Sequence, residues 1–327
     1  MSPTITTPVG SLSAAQVASV IRAATLAPSQ HNTQPWQFSC TPHSIELYAD
    51  RHRSLPVADP NHRELLLSCG AALMNLRLAI TACGVRPITN LRAGDDPIAT
   101  VRPSDTVREN ADTKNDQWLV EAIPFRRTVR RPFSPLPVGR EVIKQLRRAA
   151  EIEHAWLPIL DSAQRTALHE LVLRAHRRQR DDPAFQAEWA WWNDRAGDQR
   201  HELPAFGEAT LPEHSLKASP LTVMIGTLGD SPLDWLRAGQ AMQRVLLAAA
   251  AAGLCASFVS QPIEVDSTRA ELRSLVGDGL WPQILLRIGY ADLAKPAPRR
   301  PIEEVLIKSR SAPPSRGTER GESGRTR

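Results

Sequence analysis

The stretch "GAALMNLRLAITACG", residues 70–84, is an apolar segment with glycine at both ends, and the chain carries a second segment of the same kind. That second segment, "GQAMQRVLLAAAAAG" at residues 239–253, has its glycines at the same spacing and is identical to the first at six of fifteen positions. Two helices rich in alanine and leucine share residues by composition alone, so an unrelated pair of helices is the competing interpretation. A true repeat would mean that one chain contains two copies of a structural unit.

The sequences upstream of both segments favour a repeat. Residues 12–27, "LSAAQVASVIRAATLA", have apolar side chains at helical spacing and lead into a strand-like stretch that begins at Trp36. Residues 139–155, "GREVIKQLRRAAEIEHA", lead in the same way into a stretch that begins at Trp156. A helix, a strand and a long helix therefore follow one another in the same order in both parts of the chain.

Helices and strands are mixed along the chain, which predicts an α+β fold. Strands are expected at residues 36–40, 44–48, 97–102, 156–160, 221–228, 256–260 and 283–290. We predict two α/β sandwich halves fused in one chain as a pseudo-dimer. Such a chain would build internally what otherwise needs two subunits, so a monomer is expected.

A polar stretch without periodicity, "PSDTVRENADTKNDQ" at residues 103–117, separates the two halves. The predicted boundaries are residues 1–110 for the first half and 111–308 for the second. The second half includes an insertion, at about residues 176–217, that is rich in charge and tryptophan. Residues 309–327 hold serine, glycine, proline and arginine without apolar anchors, a composition typical of disorder.

Charge and cysteine content argue against several classes of function. The formal net charge is +5, but five arginines and two glutamates in residues 309–327 account for +3 of it. A nucleic-acid-binding surface needs basic residues on the folded part, so we expect no nucleic-acid partner. The four cysteines lie apart, without a CxxC pair or a histidine at metal spacing, which argues against a metal site and favours a reducing cytoplasm. No apolar run reaches the roughly 18 residues that span a bilayer, and no secretion signal is visible, so we expect no membrane partner.

The stretch "APSQHNTQPWQF", residues 27–38, places polar side chains between a buried helix and an apolar strand. Pro28 ends the helix, and a polar turn follows before Pro35. The polar side chains of this turn are those of Ser29, Gln30, His31, Asn32 and Gln34. A plain turn is the simplest interpretation, since proline, serine and asparagine are turn residues. The alternative is that these amides and hydroxyls bind a flat, polar ligand.

Arginines are concentrated in "FRRTVRRPFSPLPV", residues 125–138, ahead of the helix of the second half. Guanidinium groups and a hydroxyl together suit a phosphate dianion, because charge-assisted bidentate hydrogen bonds are the strong ones. A solvated basic loop is the other interpretation. A second basic pair, Arg299 and Arg300, lies in "PAPRRPIEEVL", residues 296–306. The chain has no GxGxxG, GxxxxGK[ST], HExxH or GxSxG motif.

These stretches resemble motifs of the nitroreductase family. "APSQHNTQPWQF" resembles the family's APSxxNxQPWxF stretch, and "RRTVRRPFSPLPV" resembles its RRSxRxF…PV stretch. "AAAAAGLCASFVSQPIEV", residues 248–265, and "RIGYADLAKPAPRRPIEEVL", residues 287–306, are similar to the family's C-terminal half. The resemblance covers nearly the whole chain and implies the nitroreductase fold, in two copies, with FMN as cofactor.

The two family motifs are divided between the halves. In ordinary members both lie in one chain, the protein is a homodimer, and each FMN binds at the subunit interface. Here "AAEIEHAWLPI", residues 149–159, stands where the second half would need the polar turn, and "SPTITTPVGS", residues 2–11, stands where the first half would need the arginines. This one-chain arrangement is similar to the Acg-type branch of the family, and it implies one complete flavin site per chain.

The resemblance assigns cofactor contacts residue by residue. The phosphate would be bound by Arg126, Arg127, Thr128, Arg130 and Arg299, with the register of Arg127 open and Arg300 as the substitute for Arg299. The ribityl and ring atoms would meet Pro28, Ser29, Gln30, Asn32 and Gln34. The turn of Pro262, Ile263 and Glu264 would face flavin N5 with a backbone amide, next to Val265, where many members have glycine. No side chain is expected to act as a catalytic acid or base.

The resemblance implies an oxidoreductase that passes a hydride from NAD(P)H through FMN to a nitroaromatic, a quinone or a similar flat acceptor. The alternative is a protein that sequesters FMN or senses redox state with little turnover, which the insertion and Val265 favour. Trp189, Trp191 and Trp192 of the insertion either pack as ordinary helix residues or cover the flavin as part of a lid. His31 either contacts the flavin or, like most turn histidines, faces solvent.

Overall fold

A computed structural model describes residues 7–92, 94, 96–104, 116–195 and 221–307. The helices in these ranges are α1 Ala14–Thr25, α2 Arg63–Ala82, α3 Gln117–Ala122, α4 Arg140–Ile152, α5 Ser162–Asp181, α6 Pro183–Arg195, α7 Pro232–Ala251, α8 Gln261–Glu264, α9 Asp266–Leu275 and α10 Ile302–Val305. The strands are β1 Trp36–Cys40, β2 Ile45–Ala49, β3 Arg86–Leu91, β4 Ala99–Ser104, β5 Leu221–Thr227, β6 Cys255–Phe258 and β7 Trp281–Gly289. The predicted boundary at residue 110, the insertion from residue 196 to 217 and the tail at 309–327 lie outside the described residues.

The described strands form two antiparallel sheets, one on each side of the predicted boundary. The first sheet has the order β1-β2-β4-β3 and the second has the order β5-β7-β6. β5 is buried along its whole length, which indicates cover on both faces of the second sheet. Helices packed on antiparallel sheets confirm the predicted α+β class.

Local sequence explains where the helices begin. α1 starts with a capping box, in which Ser13 Oγ accepts from the Gln16 amide at 3.3 Å and Gln16 Oε1 accepts from the Ser13 amide at 2.9 Å. Ser231 and Asp234 form the same motif at the start of α7. The stripe of apolar residues predicted for α1 is buried, which fixes the face that the helix turns to the core.

The two glycine-bracketed segments are parts of α2 and α7, and the two helices match closely. Each has 20 residues and begins seven residues before its first glycine. Gly84 and Gly253, the glycines that follow them, have φ of +77° and +74°, a conformation that ends a helix and suits glycine. These similarities support a repeat rather than a chance match in composition.

α2 and α7 cross at their first glycines. A Cβ atom on Gly70 would lie 2.2 Å from the carbonyl oxygen of Leu236, and one on Gly239 would lie 2.1 Å from that of Leu67. Leu67 precedes Gly70 by three residues, as Leu236 precedes Gly239, so the contact is reciprocal. Reciprocal contacts are those of an isologous interface, which supports the interpretation of two fused halves.

α2 also has the length and composition of a membrane span, contrary to the expectation that no such run exists. Its apolar window has a mean hydropathy of 1.6, and 83% of that window is buried inside the fold. Glu64 and Arg77 interrupt the apolar run, which is why it is not apparent in the sequence. α2 packs against α1 and α7, as a core helix does.

Two regions differ from the predicted strands. β3 is not predicted; it is an edge strand whose alternate residues are exposed, and Pro87 weakens its sequence signal. Residues 156–160 do not form a regular strand, although Trp156 pairs with Gly226 and Ile159 pairs with Val223 in isolated bridges beside β5. Pro158 lacks the N–H group that a regular ladder needs, because its nitrogen is part of the ring.

Residues 296–307, which we call the crossing arm, run from the second half to the first. Leu306 pairs with Phe38 in parallel, and the Ile307 amide donates to the Phe38 carbonyl at 2.9 Å. The arm therefore lies alongside β1 and passes the turn that follows α1.

Candidate functional site

The turn after α1 has an unusual backbone. His31, Asn32 and Gln34 have φ of +47°, +56° and +50°, in the left-handed region that non-glycine residues seldom adopt. Ser29 Oγ accepts from the Gln34 amide at 2.9 Å and holds the turn closed. Pro28, which ends the helix, is buried. Such strained turns are concentrated at binding sites.

Arg299 of the crossing arm reaches this turn. Its Nη1 atom donates to Asn32 Oδ1 at 3.2 Å, and its Nη2 atom donates to the Leu26 carbonyl at 3.3 Å. Asn32 Nδ2 in turn donates to the Pro298 carbonyl at 3.2 Å. Both ends of the Asn32 amide therefore bind the arm.

Arg300 makes a different set of contacts. Its amide donates to Gln34 Oε1 at 2.8 Å, and its guanidinium donates to the Gln34 carbonyl at 3.0 Å and to the Glu304 carbonyl at 2.6 Å. Asp50 lies 3.8 Å from the same guanidinium. The guanidinium of Arg300 is thus engaged within the protein, whereas Arg299 lies among other arginines.

Arg126, Arg127 and Arg299 form a buried or half-buried cluster of positive charge. Arg126 is 6% exposed. Burial, together with the charges of Arg299 and Arg127, lowers the pKa of Arg126 to about 9. Burial and the charge of Arg127 lower the pKa of Arg299 to about 10. Among the described residues, Nε and Nη1 of Arg126 and Nε of Arg299 are buried without a hydrogen-bond partner.

A buried guanidinium group without a counter-charge is unfavourable, so the cluster suits an anionic ligand. A phosphate dianion would supply both charge and acceptors, and it is the group that guanidinium forks bind best. Thr128 directly follows Arg127 in the sequence, and an isolated β-bridge to Ala256 of β6 fixes its backbone. Arg130 is exposed, yet it lies near enough to His31 to lower the pKa of the imidazole.

The α8 turn faces the polar turn through Glu264. Its carboxylate accepts from Gln30 Nε2 at 3.0 Å and from Gln179 Nε2 at 2.6 Å. The amides of Ile263 and Glu264 donate to the Ser260 carbonyl at 2.9 and 3.1 Å, while Pro262 and Ile263 are buried. Burial and the neighbouring Glu64 raise the pKa of Glu264 to about 7.

The insertion helix α6 packs on the polar turn. Trp192 Nε1 donates to the His31 carbonyl at 3.1 Å, and the Trp189 ring meets the His31 ring edge-on with centroids 4.5 Å apart. His31 Nε2 is buried, and burial together with Arg130 lowers the imidazole pKa to about 4. His31 is therefore a neutral, packed side chain rather than the solvent-facing histidine expected of most turns.

A second contact fixes α6 to the first half. Glu188 accepts from the amides of Val57 and Ala58 at 2.9 and 2.8 Å. An apolar cluster lies beside it and joins the helix to the segment after β2; its members are Leu55, Ala58, Phe185 and Trp192. Elements from both halves thus meet around the polar turn.

The sequence motifs do not identify two of these residues. Gln179 follows Leu168, Leu171 and Ala175 on the buried stripe of α5, so a polar residue at a helical core position was the available signal. Ser68 of α2 accepts from the Gln30 amide at 3.4 Å, and it too lies on a buried helix face.

Of the predicted site residues, the structure brings Arg126, Arg127 and Arg299 together, and it joins Asn32 to Arg299 and Gln30 to Glu264. Gln34 and Arg300 bind each other instead of lining the arginine cluster. Polar groups from the two halves therefore converge, which is the arrangement that the divided motifs require.

Comparison with known proteins gives a consistent assignment. The model of the nitroreductase family matches residues 123–290. A Mycobacterium tuberculosis H37Rv protein named "Putative NAD(P)H nitroreductase Rv3131" is 32% identical over 320 residues, covering 89% of this chain and 90% of the relative. Another protein of that strain has the same designation with the name acg; it is 29% identical over 319 residues, covering 89% of this chain and 95% of the relative.

A crystal structure of the FMN-dependent nitroreductase NfnB from Mycobacterium smegmatis in complex with NADPH is similar, with 19% identity and a TM-score of 0.44. The match covers 60% of this chain and 100% of NfnB. The family model spans half of this chain, and the relatives match nearly all of it. The chain belongs to the nitroreductase family.

Proposed function

We propose that the chain binds one FMN between its two halves and acts as an NAD(P)H oxidoreductase of the nitroreductase type. The observation that carries this proposal is the arginine cluster, in which Arg126 has two buried guanidinium nitrogens without partners among the described residues. A flavin phosphate supplies the charge that the cluster needs. The designation of the relatives as NAD(P)H nitroreductases and the FMN dependence of NfnB are consistent with it.

Each half has a separate role in this proposal. Arg126, Arg127 and Thr128 of the second half hold the phosphate together with Arg299 of the crossing arm. Residues 28–32 of the polar turn of the first half border the ribityl chain and the ring, whereas Gln34 of that turn binds Arg300. α8 borders the ring from the other half. Bound FMN supplies the hydride chemistry, while the protein positions it and excludes water.

The partners we propose are NAD(P)H as donor and a small flat acceptor, such as a nitroaromatic or a quinone. Since both halves lie in one chain, we propose that the protein is a monomer. We also propose that it is cytoplasmic, because the four cysteines in the described residues are free thiols. The second candidate is an FMN-sequestering or redox-sensing protein. The packing of α6 on the polar turn favours it, because a helix fixed there narrows access to the ring.

The test begins with the full chain loaded with FMN. We expect one FMN per chain and rapid loss of flavin absorbance when NADPH or NADH is added without oxygen. Flavin that keeps its colour until dithionite is added would identify the sequestering protein instead. A chain that takes up no FMN would contradict both candidates.

Substitution of Arg126 tests the phosphate site. Arg126→Ala removes at least one charge-assisted hydrogen bond worth about 1.5–3 kcal/mol, so FMN should bind at least roughly tenfold more weakly. Arg147→Ala, at an exposed arginine of α4, is the matched control and should leave the FMN Kd unchanged. Equal affinity in both variants would locate the phosphate elsewhere.

A further inference from the structure

The crossing arm is held against the polar turn by two amide side chains. Asn32 binds the Pro298 carbonyl and the Arg299 guanidinium, at 3.2 Å in each case. Gln34, which is fully buried, binds the amide and the guanidinium of Arg300 through its side chain and its own carbonyl. Two consecutive arginines of the arm are thereby attached to one turn of the other half.

These contacts place Arg299 where its charge is unfavourable. Arg126 and Arg299 repel each other, and this repulsion contributes to the lowered pKa of Arg126. Nη1 and Nη2 of Arg299 donate to carbonyls of the arm, to the Asn32 side chain and to the Leu26 carbonyl at the end of α1. Nε of Arg299 is buried and has no hydrogen-bond partner among the described residues. Without an anchor, like charges would separate and the arm would carry Arg299 towards solvent.

Arg300 supplies the anchor. Its guanidinium binds the carbonyls of Gln34 and Glu304, and it is 6% exposed. The φ of +50° at Gln34 turns the backbone so that its carbonyl and its side chain both meet the same arginine. A strained backbone conformation of this kind persists only when surrounding contacts hold it in place.

We propose that Gln34 and Arg300 form a positioning clasp that holds Arg299 beside Arg126 before any ligand binds, and so makes the site select a phosphorylated flavin over an unphosphorylated one. This inference rests on the proposed FMN site. Neither clasp residue touches the phosphate; they act by orienting Arg299 in advance. Preorganisation of this kind strengthens binding because the ligand no longer has to order the arm.

The test compares FMN with riboflavin, which has the same ring and ribityl chain but no phosphate. Both Kd values are measured by flavin fluorescence for the full chain and for Gln34→Ala. Gln34→Ala removes the hydrogen bond from the Arg300 amide to Gln34 Oε1 and so releases Arg299 from its position. We expect the ratio of the riboflavin Kd to the FMN Kd to fall about tenfold, since the charge-assisted contact of Arg299 with the phosphate is then lost. The riboflavin Kd itself should stay within about twofold.

Further variants separate positioning from general damage. Gln37→Ala in β1 is the matched glutamine control and should keep the wild-type ratio. Arg300→Lys tests the clasp from the other side and should lower the ratio as Gln34→Ala does; it decides the matter if Gln34→Ala does not fold. In an Arg299→Ala background, Gln34→Ala should lower the ratio no further, because the residue that it positions is gone.

The outcomes are distinguishable. An unchanged ratio in both clasp variants, or equal weakening of FMN and riboflavin, would overturn the clasp while leaving the FMN site intact. Failure of the wild-type chain to bind FMN would overturn the proposed function and the clasp with it. A lowered ratio in Gln34→Ala and Arg300→Lys, absent in Gln37→Ala, supports the clasp.

Discussion

The pKa values of two ionisable side chains, Glu264 of α8 and His31 of the polar turn, are shifted in opposite directions. Glu264 has a raised pKa because burial and the nearby Glu64 disfavour its negative charge. His31 has a lowered pKa because burial and Arg130 disfavour its positive charge. Both shifts favour the neutral form, so at neutral pH the imidazole is uncharged and the carboxyl is near its midpoint.

The raised pKa of Glu264 predicts a loss of stability as pH rises. The folded protein holds the proton up to about pH 7, whereas the unfolded chain releases it near 4.5. The stabilisation is therefore complete below about pH 4.5 and is lost as pH rises through 7. Glu264→Gln places an uncharged amide beside Gln30, Gln179, Glu64 and Arg63. Its Tm should therefore fall less between pH 5 and 8 than that of the wild type.

Glu141→Gln is the control, because that carboxylate is on the surface of α4, where its ion pair with Lys144 is exposed to solvent. Its pH profile should match the wild-type profile. If Glu264→Gln also follows the wild type, the titrating group lies elsewhere.

At this scale the sequence identifies motif residues but not what each one binds. The arginine run and the polar turn predict Arg126 and Ser29 as parts of a site, because charge and turn chemistry are local properties. The pairing of Gln34 with Arg300 joins residues 266 positions apart, and no local pattern indicates it. The same is true of Trp192 and His31.

Among the elements, α6 is the one whose sequence gives least indication of its packing. Its apolar residues are spread around the helix, so no single buried stripe is apparent. Glu188 fixes it to the Val57 and Ala58 amides, and Trp192 is buried in the cluster beside them. Trp191, which directly precedes Trp192, is 46% exposed.

The difference between these tryptophans gives a paired test of the docking of α6. Trp192→Ala removes a buried indole and its hydrogen bond to His31, a change that costs about 3–5 kcal/mol for a large aromatic residue. We expect amide exchange in α6 to accelerate by at least about a hundredfold in Trp192→Ala, with little change in β5 and β7. Trp191→Ala should leave α6 exchange near the wild-type rate, and equal acceleration in both would contradict the docking.

Periodic patterns predict the type of most elements, and specific residues decide where they fail. β1 is predicted at its observed bounds, because its alternating apolar and polar residues and the flanking turns define it. α2 and α7 begin seven residues before the glycines that mark them, since charged residues in their first turns obscure the apolar pattern. Residues 156–160 have strand-like composition, but Pro158 prevents a continuous ladder.

At the scale of the whole molecule, the close packing of α2 against α7 holds the two proposed halves together. Gly70→Ala would place a methyl group 2.2 Å from a backbone oxygen, and Gly239→Ala would place one at 2.1 Å, so the helices would have to separate. Overpacking of this kind costs about 1–3 kcal/mol or more. We expect each substitution to lower the free energy of unfolding by at least that amount in chemical denaturation.

Gly279→Ala is the matched control, because the nearest atom to its added methyl group would be 3.8 Å away. It should leave the free energy of unfolding within about 0.5 kcal/mol of the wild type. If Gly70→Ala and Gly239→Ala also leave the free energy of unfolding near the wild-type value, the two helices do not cross as closely as described.

The two halves are not equivalent where the first has its polar turn. Ten residues separate α1 from β1, but three separate α4 from Trp156. In their place, Glu153 binds Arg77 at 2.7 Å and Arg244 at 3.1 Å. Burial opposes the charge of Glu153, yet the two arginines keep its pKa below the usual value. The second half thus has an internal ion network where a second polar turn would lie, in keeping with the proposal of one flavin per chain.

The proposed cofactor site is assembled from residues that are far apart in the order of synthesis. Arg299 follows Arg126 by more than half the length of the chain, so the ribosome makes the first arginines long before the residues that complete their cluster. During synthesis the emerging polypeptide therefore has only part of the proposed phosphate contacts. The proposed site is therefore complete only after the crossing arm has been made, and we expect a product truncated before residue 296 to bind FMN more weakly than the full chain.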